Sequence, residues 1–380
     1  MRAGRYITQL EGYRAFIPAP LPPDPPISMD AEMVSLLSEA DHALGRLDGV
    51  ASILPNPDLF VATYVRHEAV LSSQIEGTQS SLEDVLEFEA GGKGSDLPRD
   101  VEEVVNYVRA MNHGLSRLKE FPLSLRLIRE IHAELLRGVR GGEKDPGNFR
   151  RTQNWIGPQG ATLQTAVFVP PPPHEMTAAL DNMEKFLHET ELLPALVHCG
   201  LVHAQFETIH PFIDGNGRVG RLLIVFQLCQ RGILQRPLLY PSYYLKARRT
   251  EYYDRLMAVR NDGDWEGWLK FFLKGVLEAS ESAANTARAI LTLRESHRAK
   301  VSTIRRGAGL APRLLDLLFE HPVMTARLAE KLLGCAYVTA GNLLEQFEKT
   351  EIVRETTGFK RNRRYRYEPL LRLFDAVGGQ

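Results

Sequence analysis

The chain has 380 residues, and 46 Lys and Arg against 47 Asp and Glu give a formal net charge of −1. This balance excludes a strong overall electrostatic attraction to nucleic acid or to membrane surfaces. A chain of this length is expected to form roughly two or three domains. The three cysteines, Cys199, Cys229 and Cys335, lie far apart without metal or redox spacing, which suits the reducing cytosol. The first residues lack the apolar segment of a signal peptide, and no apolar run reaches membrane-spanning length, so we expect a cytoplasmic protein outside the membrane.

Residues 1–28 are rich in proline and predict an extended arm that lies over a domain surface. A polyproline ligand is the alternative, but Tyr13, Phe16 and Ile17 favour burial of the arm. Helical periodicity then dominates the chain, and the expected fold class is mainly α. The predicted helices cover residues 30–53, 59–76, 81–90, 99–119, 124–140, 175–190, 194–209, 217–231, 248–261 and 265–297, with a linker at 91–95.

The helical pattern is interrupted between residues 147 and 173. Short β-prone stretches flank Gly157-Pro158-Gln159-Gly160, a combination that predicts a β-hairpin. Such a hairpin can capture an extended peptide along its edge through main-chain hydrogen bonds. A surface hairpin without a partner is the alternative, and the proline run 170–173 would blunt one end of its edge.

Residues 210–221 read His-Pro-Phe-Ile-Asp-Gly-Asn-Gly-Arg-Val-Gly-Arg and precede the apolar run 222–228. The glycines at 215 and 217 therefore lie where a loop enters a buried helix. The unpaired N–H groups and the positive dipole end of such a helix start form an anion site. Small residues at this point also let the backbone approach phosphates closely.

Four polar side chains of this motif predict phosphate-transfer chemistry. His210 is a candidate proton acceptor, and the Asp214 carboxylate is a ligand suited to a hard cation such as magnesium. Arg218 and Arg221 are three residues apart, so both can project toward one anion. An ordinary tight turn with solvated arginines is the alternative interpretation of these residues.

The twelve residues resemble the signature of the Fic domain family, His-x-Phe-x-Asp/Glu-Gly-Asn-Gly-Arg-x-x-Arg. This resemblance implies a protein adenylyltransferase that transfers AMP from Mg-ATP to a Ser, Thr or Tyr hydroxyl of a target protein or of itself, releasing pyrophosphate. It implies that His210 is the catalytic base, that Asp214 holds Mg²⁺, and that Arg221 binds the γ-phosphate. The implied nucleotide-binding residues are Phe212, Asp214, Gly215, Asn216, Gly217, Arg218, Arg221, Tyr253 and Leu256. Phe212 is also expected to hold the loop down on the core.

A second motif lies upstream, where residues 72–77 read Ser-Ser-Gln-Ile-Glu-Gly and resemble the family's inhibitory-helix pattern, Ser/Thr-x-x-x-Glu-Gly/Asn. The resemblance implies that Ser72, Glu76 and Gly77 belong to an inhibitory helix at about 59–77. Gly77 is a natural left-handed helix cap, which places Glu76 on the last helical turn, where the dipole disfavours an anion. A compensating cation is therefore expected, and by analogy it is Arg221. A solvated helix-end carboxylate is the alternative.

The family resemblance also gives roles to segments around this core. The 147–173 hairpin would be the flap that aligns the target segment, and Tyr253 with Leu256 would wall the adenine. Simple core packing is the alternative for those two side chains. Relatives also suggest a homodimer.

The C-terminal segment has the element order of a winged helix-turn-helix, with helices near 314–318, 325–334 and 338–349 and strands near 352–355 and 364–367. A basic strip on the wing, formed by Lys360, Arg361, Arg363, Arg364 and Arg366, could meet DNA phosphates. The preceding helix carries Asn342, Glu345, Gln346, Glu348 and Lys349 and is net acidic, which favours protein docking over DNA binding.

The expected organisation is therefore an N-terminal region at 1–118, a Fic catalytic core at 119–300 and a winged-helix domain at 305–376. The alternative function is a DNA-binding regulator whose Fic core senses nucleotide or removes AMP from a modified protein. An intact set of catalytic residues favours the enzyme, because a pure sensor needs no base.

Overall fold

The computed structural model describes residues 2–52, 57–91, 98, 100–138, 144–189, 192–304 and 309–378, without the side chains of 57–60 and 375–378. It is mainly helical with two small antiparallel sheets, as the sequence predicts. None of the helices within these ranges combines the length and apolar character needed to cross a lipid bilayer. The predicted linker at 91–95 lies outside the described residues except for Gly91.

The helices before the C-terminal segment follow the predicted order with shifted ends. They are α1 (Ala31–Ser52), α2 (Pro57–Ile75), α3 (Leu82–Glu89), α4 (Val101–Arg117), α5 (Leu125–Leu135), α6 (Pro173–His188), α7 (Ala195–Ile209), α8 (Asn216–Gln230), α9 (Pro241–Ala247), α10 (Arg249–Asp262) and α11 (Trp265–Val301). The short helix α9 was not predicted, and it begins at a proline, whose fixed φ suits a first helical turn.

The N-terminal arm is a β-hairpin rather than a simple extended segment. Strands β1 (Gly4–Thr8) and β2 (Arg14–Pro18) pair antiparallel, and the turn between them contains Gly12 at φ 85°. Phe16 is fully buried, and its N–H donates to the Val169 carbonyl at 2.9 Å. The arm therefore packs on the core and lies directly beside the predicted flap.

The predicted flap hairpin forms only in part. A single antiparallel bridge joins Ile156 to Phe168, and the residues between them are turns and irregular backbone. The next residue of the flap, Val169, is instead hydrogen-bonded to the arm, because its carbonyl accepts from the Phe16 N–H. The flap is thus stabilised by a distant part of the chain, a contact that local sequence does not indicate.

The two helices that flank the 210–221 motif form the centre of the core. Every residue of α7 from Leu196 to Ile209 is buried, and so is the apolar run of α8 at 222–228. A helix that is apolar on all sides is expected to be surrounded by protein. The loop between α7 and α8 is therefore fixed at both ends by the core.

Within residues 309–378, the C-terminal segment contains four helices and one sheet. Its elements are α12 (Ala311–Glu320), β3 (Val323–Thr325), α13 (Ala326–Leu333), α14 (Tyr337–Lys349), β4 (Arg354–Glu355), β5 (Arg364–Arg366) and α15 (Glu368–Gly378). Strand β5 lies between β3 and β4, and both pairings are antiparallel. The sequence did not indicate β3 or α15. The identification of this segment as a winged helix stays a prediction.

Candidate active site

The motif loop joins α7 to α8 through two residues in left-handed backbone conformation. His210 ends α7 at φ 48° and ψ 61°, and Gly215 precedes α8 at φ 76°. The buried Arg150 donates through Nε to the His210 carbonyl at 3.0 Å, and Asn154 Nδ2 donates to the same oxygen at 3.2 Å. These bonds satisfy a carbonyl that the helix end leaves without an intrahelical partner. Sequence reasoning missed both residues.

The Asn216 side chain holds the loop closed. Its Oδ1 accepts from the Phe212 N–H and its Nδ2 donates to the Phe212 carbonyl, both at 2.8 Å. The side chain was expected to help cradle phosphates, but these two bonds occupy it. Phe212 was also placed among the nucleotide-binding residues, yet its ring is fully buried. Both side chains therefore support the loop from within, while the Asn216 backbone remains at the start of α8.

His132 on α5 is a further residue that the motif did not reveal. Its ring stacks on Phe212 with centroids 3.7 Å apart. Its Nδ1 accepts from the Gly147 N–H at 2.9 Å, so Nε2 is the donor in the 3.1 Å contact with the Asp214 carbonyl. Burial lowers the pKa of His132 to about 4, consistent with this neutral form. The ring thus anchors the carbonyl of Asp214 to α5.

The candidate base, His210, is partly buried and uncharged at neutral pH. Burial, together with the charges of Arg260 and Arg150, lowers the pKa of its imidazole to about 3. Its Nδ1 is buried and has no hydrogen-bond partner among the described residues. A neutral imidazole can accept a proton at the ring nitrogen that carries no hydrogen.

Asp214 lies beside the first turn of α8, and Lys144 contacts it. Lys144 Nζ donates to Asp214 Oδ2 at 3.0 Å, while Arg218 Nη2 lies 3.7 Å from Oδ1. Burial opposes the charge of Asp214, but Lys144 and Arg218 outweigh it and hold the pKa of this carboxyl below its ordinary value. Asp214 is thus an ionised oxygen ligand, and sequence reasoning missed the lysine beside it.

The arrangement fits a magnesium ion that is bound mainly through a substrate. No group of three or more His, Cys, Asp or Glu side chains that could hold a metal occurs in the described ranges. Mg²⁺ commonly uses one or two carboxylates together with substrate phosphates and waters. The ionised, partly exposed Asp214 at a helix N-terminus matches that mode.

The two arginines of the motif are both paired with carboxylates from other segments of the chain. Arg218 is buried, and its Nη1 lies 3.2 Å from Oε2 of Glu103 on α4. Its Nε is buried without a partner in the described part of the chain. An unpaired buried donor is costly unless something binds it, so Arg218 retains a donor beside the predicted phosphate site.

Arg221 is held by the upstream motif. Its Nη2 donates to Glu76 Oε1 at 2.8 Å and to the Ser72 carbonyl at 3.0 Å, and its Nε donates to Ser72 Oγ at 2.8 Å. Burial opposes the charge of Arg221, but Glu76 raises its pKa above the ordinary value. The expected contact between Glu76 and Arg221 is present in the structure.

The Glu76 carboxylate also covers the start of α8. A Cβ atom placed on Gly217 would lie 2.3 Å from Glu76 Oε1 and 3.0 Å from Arg221 Nη1. Gly77 has φ 101°, the left-handed conformation predicted for the end of α2. The anion site predicted for this helix start therefore contains the chain's own carboxylate. The next helix, α3, begins with a capping box formed by Ser81 and Asp84.

Two further carboxylates are buried near Arg221. Glu68 on α2 accepts from Ser242 Oγ at 2.5 Å and from the Tyr107 hydroxyl at 3.3 Å. Glu207 on α7 is also buried, and its Oε1 would lie 2.4 Å from a Cβ atom on Gly220. Burial raises the pKa of each carboxyl to about 7. Neither residue was singled out from the sequence. Each lies within a predicted helix outside both motifs, and nothing in the local pattern indicates a functional role.

The two candidate adenine-pocket residues lie in different environments. Tyr253 on α10 is 39% exposed, and burial of its hydroxyl together with the charge of Glu76 raises the pKa of this side chain. Leu256 is only 2% exposed and belongs to the core. Its neighbour in the same helix, Tyr252, hydrogen-bonds His203 at 2.9 Å inside the protein.

Comparison with known proteins places these features in a family. A profile of the Fic/DOC family matches residues 122–228, which include the whole motif loop, and a profile of the Fic/DOC family N-terminal region matches residues 34–116, which include Glu76. The chain belongs to the Fic/DOC family. The C-terminal segment from residue 311 onward lies outside both matched Fic/DOC regions.

Curated relatives are about 30% identical to this chain over the residues that align. The protein adenylyltransferase Fic of Aedes aegypti is 30% identical over 219 residues, 55% of this chain and 39% of the relative. The protein of the same name from Drosophila virilis is 30% identical over 262 residues, 64% of this chain and 46% of the relative. The chain thus spans less than half the length of these Fic relatives.

Solved structures share the fold. A Fic family protein from Desulfovibrio desulfuricans superposes with a TM-score of 0.59 at 22% identity, covering 90% of this chain and 97% of its own. A Fic domain containing signaling protein from Bacteroides thetaiotaomicron gives a TM-score of 0.51 at 18% identity, covering 68% and 97%. These similarities confirm the Fic-type helical fold.

Proposed function

We propose that this chain is a protein adenylyltransferase that transfers AMP from ATP to a hydroxyl of a protein. The observation that carries the proposal is the Glu76–Arg221 pair at the start of α8, a few residues from the neutral His210. An anion site, a base and an ionised carboxylate within one loop suit phosphate chemistry, in which positioning and charge stabilisation provide most of the rate enhancement. The relatives named adenylyltransferases support the same activity.

In the proposed reaction the target hydroxyl oxygen forms a bond to the α-phosphorus of ATP. The bond from that phosphorus to the bridging oxygen breaks, and pyrophosphate leaves. His210 accepts the hydroxyl proton, because its imidazole is neutral. Arg218 and Arg221 bind the phosphates that become pyrophosphate, and the backbone at 215–217 contacts them. Asp214 would hold Mg²⁺, which neutralises phosphate charge when it is bound.

The nucleotide must compete with the chain's own carboxylate in this proposal. Glu76 lies against both Gly217 and Arg221, where a terminal phosphate of ATP would bind. A phosphate and a carboxylate cannot share one guanidinium face at the same distance without strong repulsion. The resting protein is therefore proposed to be inhibited until Glu76 is displaced.

The target segment is proposed to bind along the flap. Trp155 and Val167 are 42% and 60% exposed there, although apolar residues of this size are usually buried. The arm already occupies the Val169 carbonyl. A target strand would use the remaining backbone groups of the flap, with the exposed apolar side chains contributing contacts.

The proposal is tested with ATP labelled on either the α- or the γ-phosphate. The purified full chain, Glu76→Gly and His210→Ala are each incubated with Mg-ATP, alone and with cell lysate. Label from the α-phosphate should enter protein, most strongly in Glu76→Gly, and His210→Ala should show none. Label from the γ-phosphate alone would refute adenylylation, and retained labelling by His210→Ala would refute the assigned base.

A further inference from the structure

The C-terminal unit, residues 311–374, packs directly on α2, the helix that ends immediately before Glu76. The Thr63 hydroxyl donates to the Phe319 carbonyl of α12 at 2.8 Å, and both partners are buried. The rings of Tyr64 and His67 meet the edge of Phe374 in α15, with centroid distances of 5.0 and 5.4 Å. These residues follow the spacing of one helical face, so one face of α2 contacts the C-terminal unit.

The same unit is joined by ion pairs to α3, the helix that follows the inhibitory motif. Arg366 in β5 lies 2.8 Å from Glu83 and 3.2 Å from Glu87, and Arg364 also pairs with Glu87. Arg363 turns the other way and lies 3.2 Å from Glu345 on α14. Three of the five basic residues of the predicted wing are therefore paired within the chain.

Another face of α2 contacts the catalytic core. Glu68, Ser72 and Glu76 recur every four residues, so they lie along one side of the helix and its last turn. They bind Ser242 of α9 and Arg221 of α8, as described above. The helix is thus held between two bodies, and displacement of Glu76 by a movement of α2 would disturb its contacts with both.

We propose that the C-terminal unit is an intramolecular docking partner of α2 and α3 that holds Glu76 against Arg221. The effect of this docking on activity rests on the proposed function, since the Glu76–Arg221 pair controls activity only if nucleotide binds at Arg221. Partly exposed ion pairs are individually weak. Here the ion pairs of the C-terminal unit with α3 act together with the buried contacts of Thr63 and Tyr64. Their removal should therefore weaken the contact of the unit with α2 and α3 while leaving the core residues in place.

The first test follows backbone amide exchange in the full chain without nucleotide. In Arg364→Glu/Arg366→Glu, the new carboxylates face Glu83 and Glu87, and the amides of residues 66–76 should exchange faster by roughly threefold or more. The matched control is Arg354→Glu/Arg372→Glu, which changes the same net charge and breaks pairs with Glu368 inside the unit. It should leave residues 66–76 unchanged.

A charge exchange shows whether the interface itself is responsible. Adding Glu83→Arg/Glu87→Arg to Arg364→Glu/Arg366→Glu restores opposite charges, so exchange in 66–76 should return to the wild-type rate. Faster exchange that the added arginines do not reverse would overturn the proposal, and so would equal exchange in the wild type and Arg364→Glu/Arg366→Glu.

The second readout is protein labelling from ATP labelled on the α-phosphate. Arg364→Glu/Arg366→Glu should give roughly threefold more label than the wild type, and the charge exchange should remove the gain. Faster exchange without added label, in a preparation where Glu76→Gly is active, would refute control of Glu76 by the unit. If Glu76→Gly itself transfers no label, the proposed function fails, and amide exchange alone decides whether the unit holds α2.

Discussion

Glu76 and Arg221 form a 2.8 Å ion pair between the end of one helix and the first turns of another. The arginine is almost completely buried, while the glutamate side chain is 38% exposed. The pair therefore joins a fixed cation to an anion that can leave toward solvent. Because of this asymmetry, Glu76 is the partner that can be replaced, and a different anion can then bind Arg221.

Gly217 is the residue that leaves room for an anion at this helix start. Gly217→Ala would place a methyl group where the Glu76 carboxylate now lies, and the phosphates of ATP are proposed to bind in the same space. We expect the substitution to lower α-phosphate labelling by more than about tenfold, even when combined with Glu76→Gly. Gly45→Ala is the control, because a Cβ atom at Gly45 meets nothing within 4 Å. Equal labelling by Gly217→Ala/Glu76→Gly and Glu76→Gly would show that phosphates bind elsewhere.

Lys144 binds the carboxylate of Asp214, the group to which the proposed function assigns Mg²⁺. Replacing it in Lys144→Met removes a cation 3.0 Å from Oδ2, so less Mg²⁺ should be needed for half-maximal labelling. The Mg²⁺ concentration that gives half-maximal labelling is expected to fall by roughly two- to fivefold, because the Lys144–Asp214 pair is partly exposed. The titration is carried out in the Glu76→Gly background, with Lys270→Met as control because Lys270 pairs with Asp30 and Glu32. A higher magnesium requirement would contradict the assigned role of Asp214.

The pH profile of labelling reports the charge of His210. Because burial and the nearby arginines lower its pKa to about 3, the imidazole stays neutral far below pH 6.5. Labelling by Glu76→Gly should therefore stay nearly constant from pH 8 down to about pH 5. Initial rates measured across this range test the prediction. A loss of rate with a midpoint near pH 6.5 would show an ordinary, solvated histidine.

Glu68 should make stability fall as pH rises. Burial raises its pKa from 4.5 to about 7, so the folded protein binds its proton where the unfolded chain has released it. Its stabilising effect is complete below pH 4.5 and is lost as the pH rises through 7, by up to about 3 kcal/mol. Urea unfolding of the wild type and Glu68→Gln at several pH values measures the difference between them. A difference that does not vary between pH 5 and 8 would contradict a buried, protonated Glu68.

The family and the position of the site could be predicted from sequence because the motif is local. The glycines, His210 and the following apolar helix are consecutive, and their chemistry follows from one loop and one helix start. Gly77 was likewise identifiable as a helix cap from its own neighbourhood, and its positive φ is confirmed. The Glu76–Arg221 contact needed the family resemblance, since 145 residues separate the two side chains.

The missed residues all act across the fold. Lys144, Glu103, Arg150 and His132 lie on separate segments, and only tertiary packing brings them to the motif loop. The arm was predicted as extended because its prolines suggest no pairing, whereas β2 pairs with β1 and bonds the flap at Val169. Asn216 was placed among the phosphate ligands, because its sequence position does not show that its amide fits the Phe212 backbone.

In the proposed function, Glu76 occupies the place of a terminal phosphate of ATP on Arg221. The most direct measurement compares the affinities of ATP and AMP by calorimetry in His210→Ala and in His210→Ala/Glu76→Ala, neither of which can turn over. Removing Glu76 should strengthen ATP binding by about tenfold or more, the effect of releasing one charged competitor, and should leave AMP binding unchanged. Equal effects on ATP and AMP, or no effect on either, would contradict the claim.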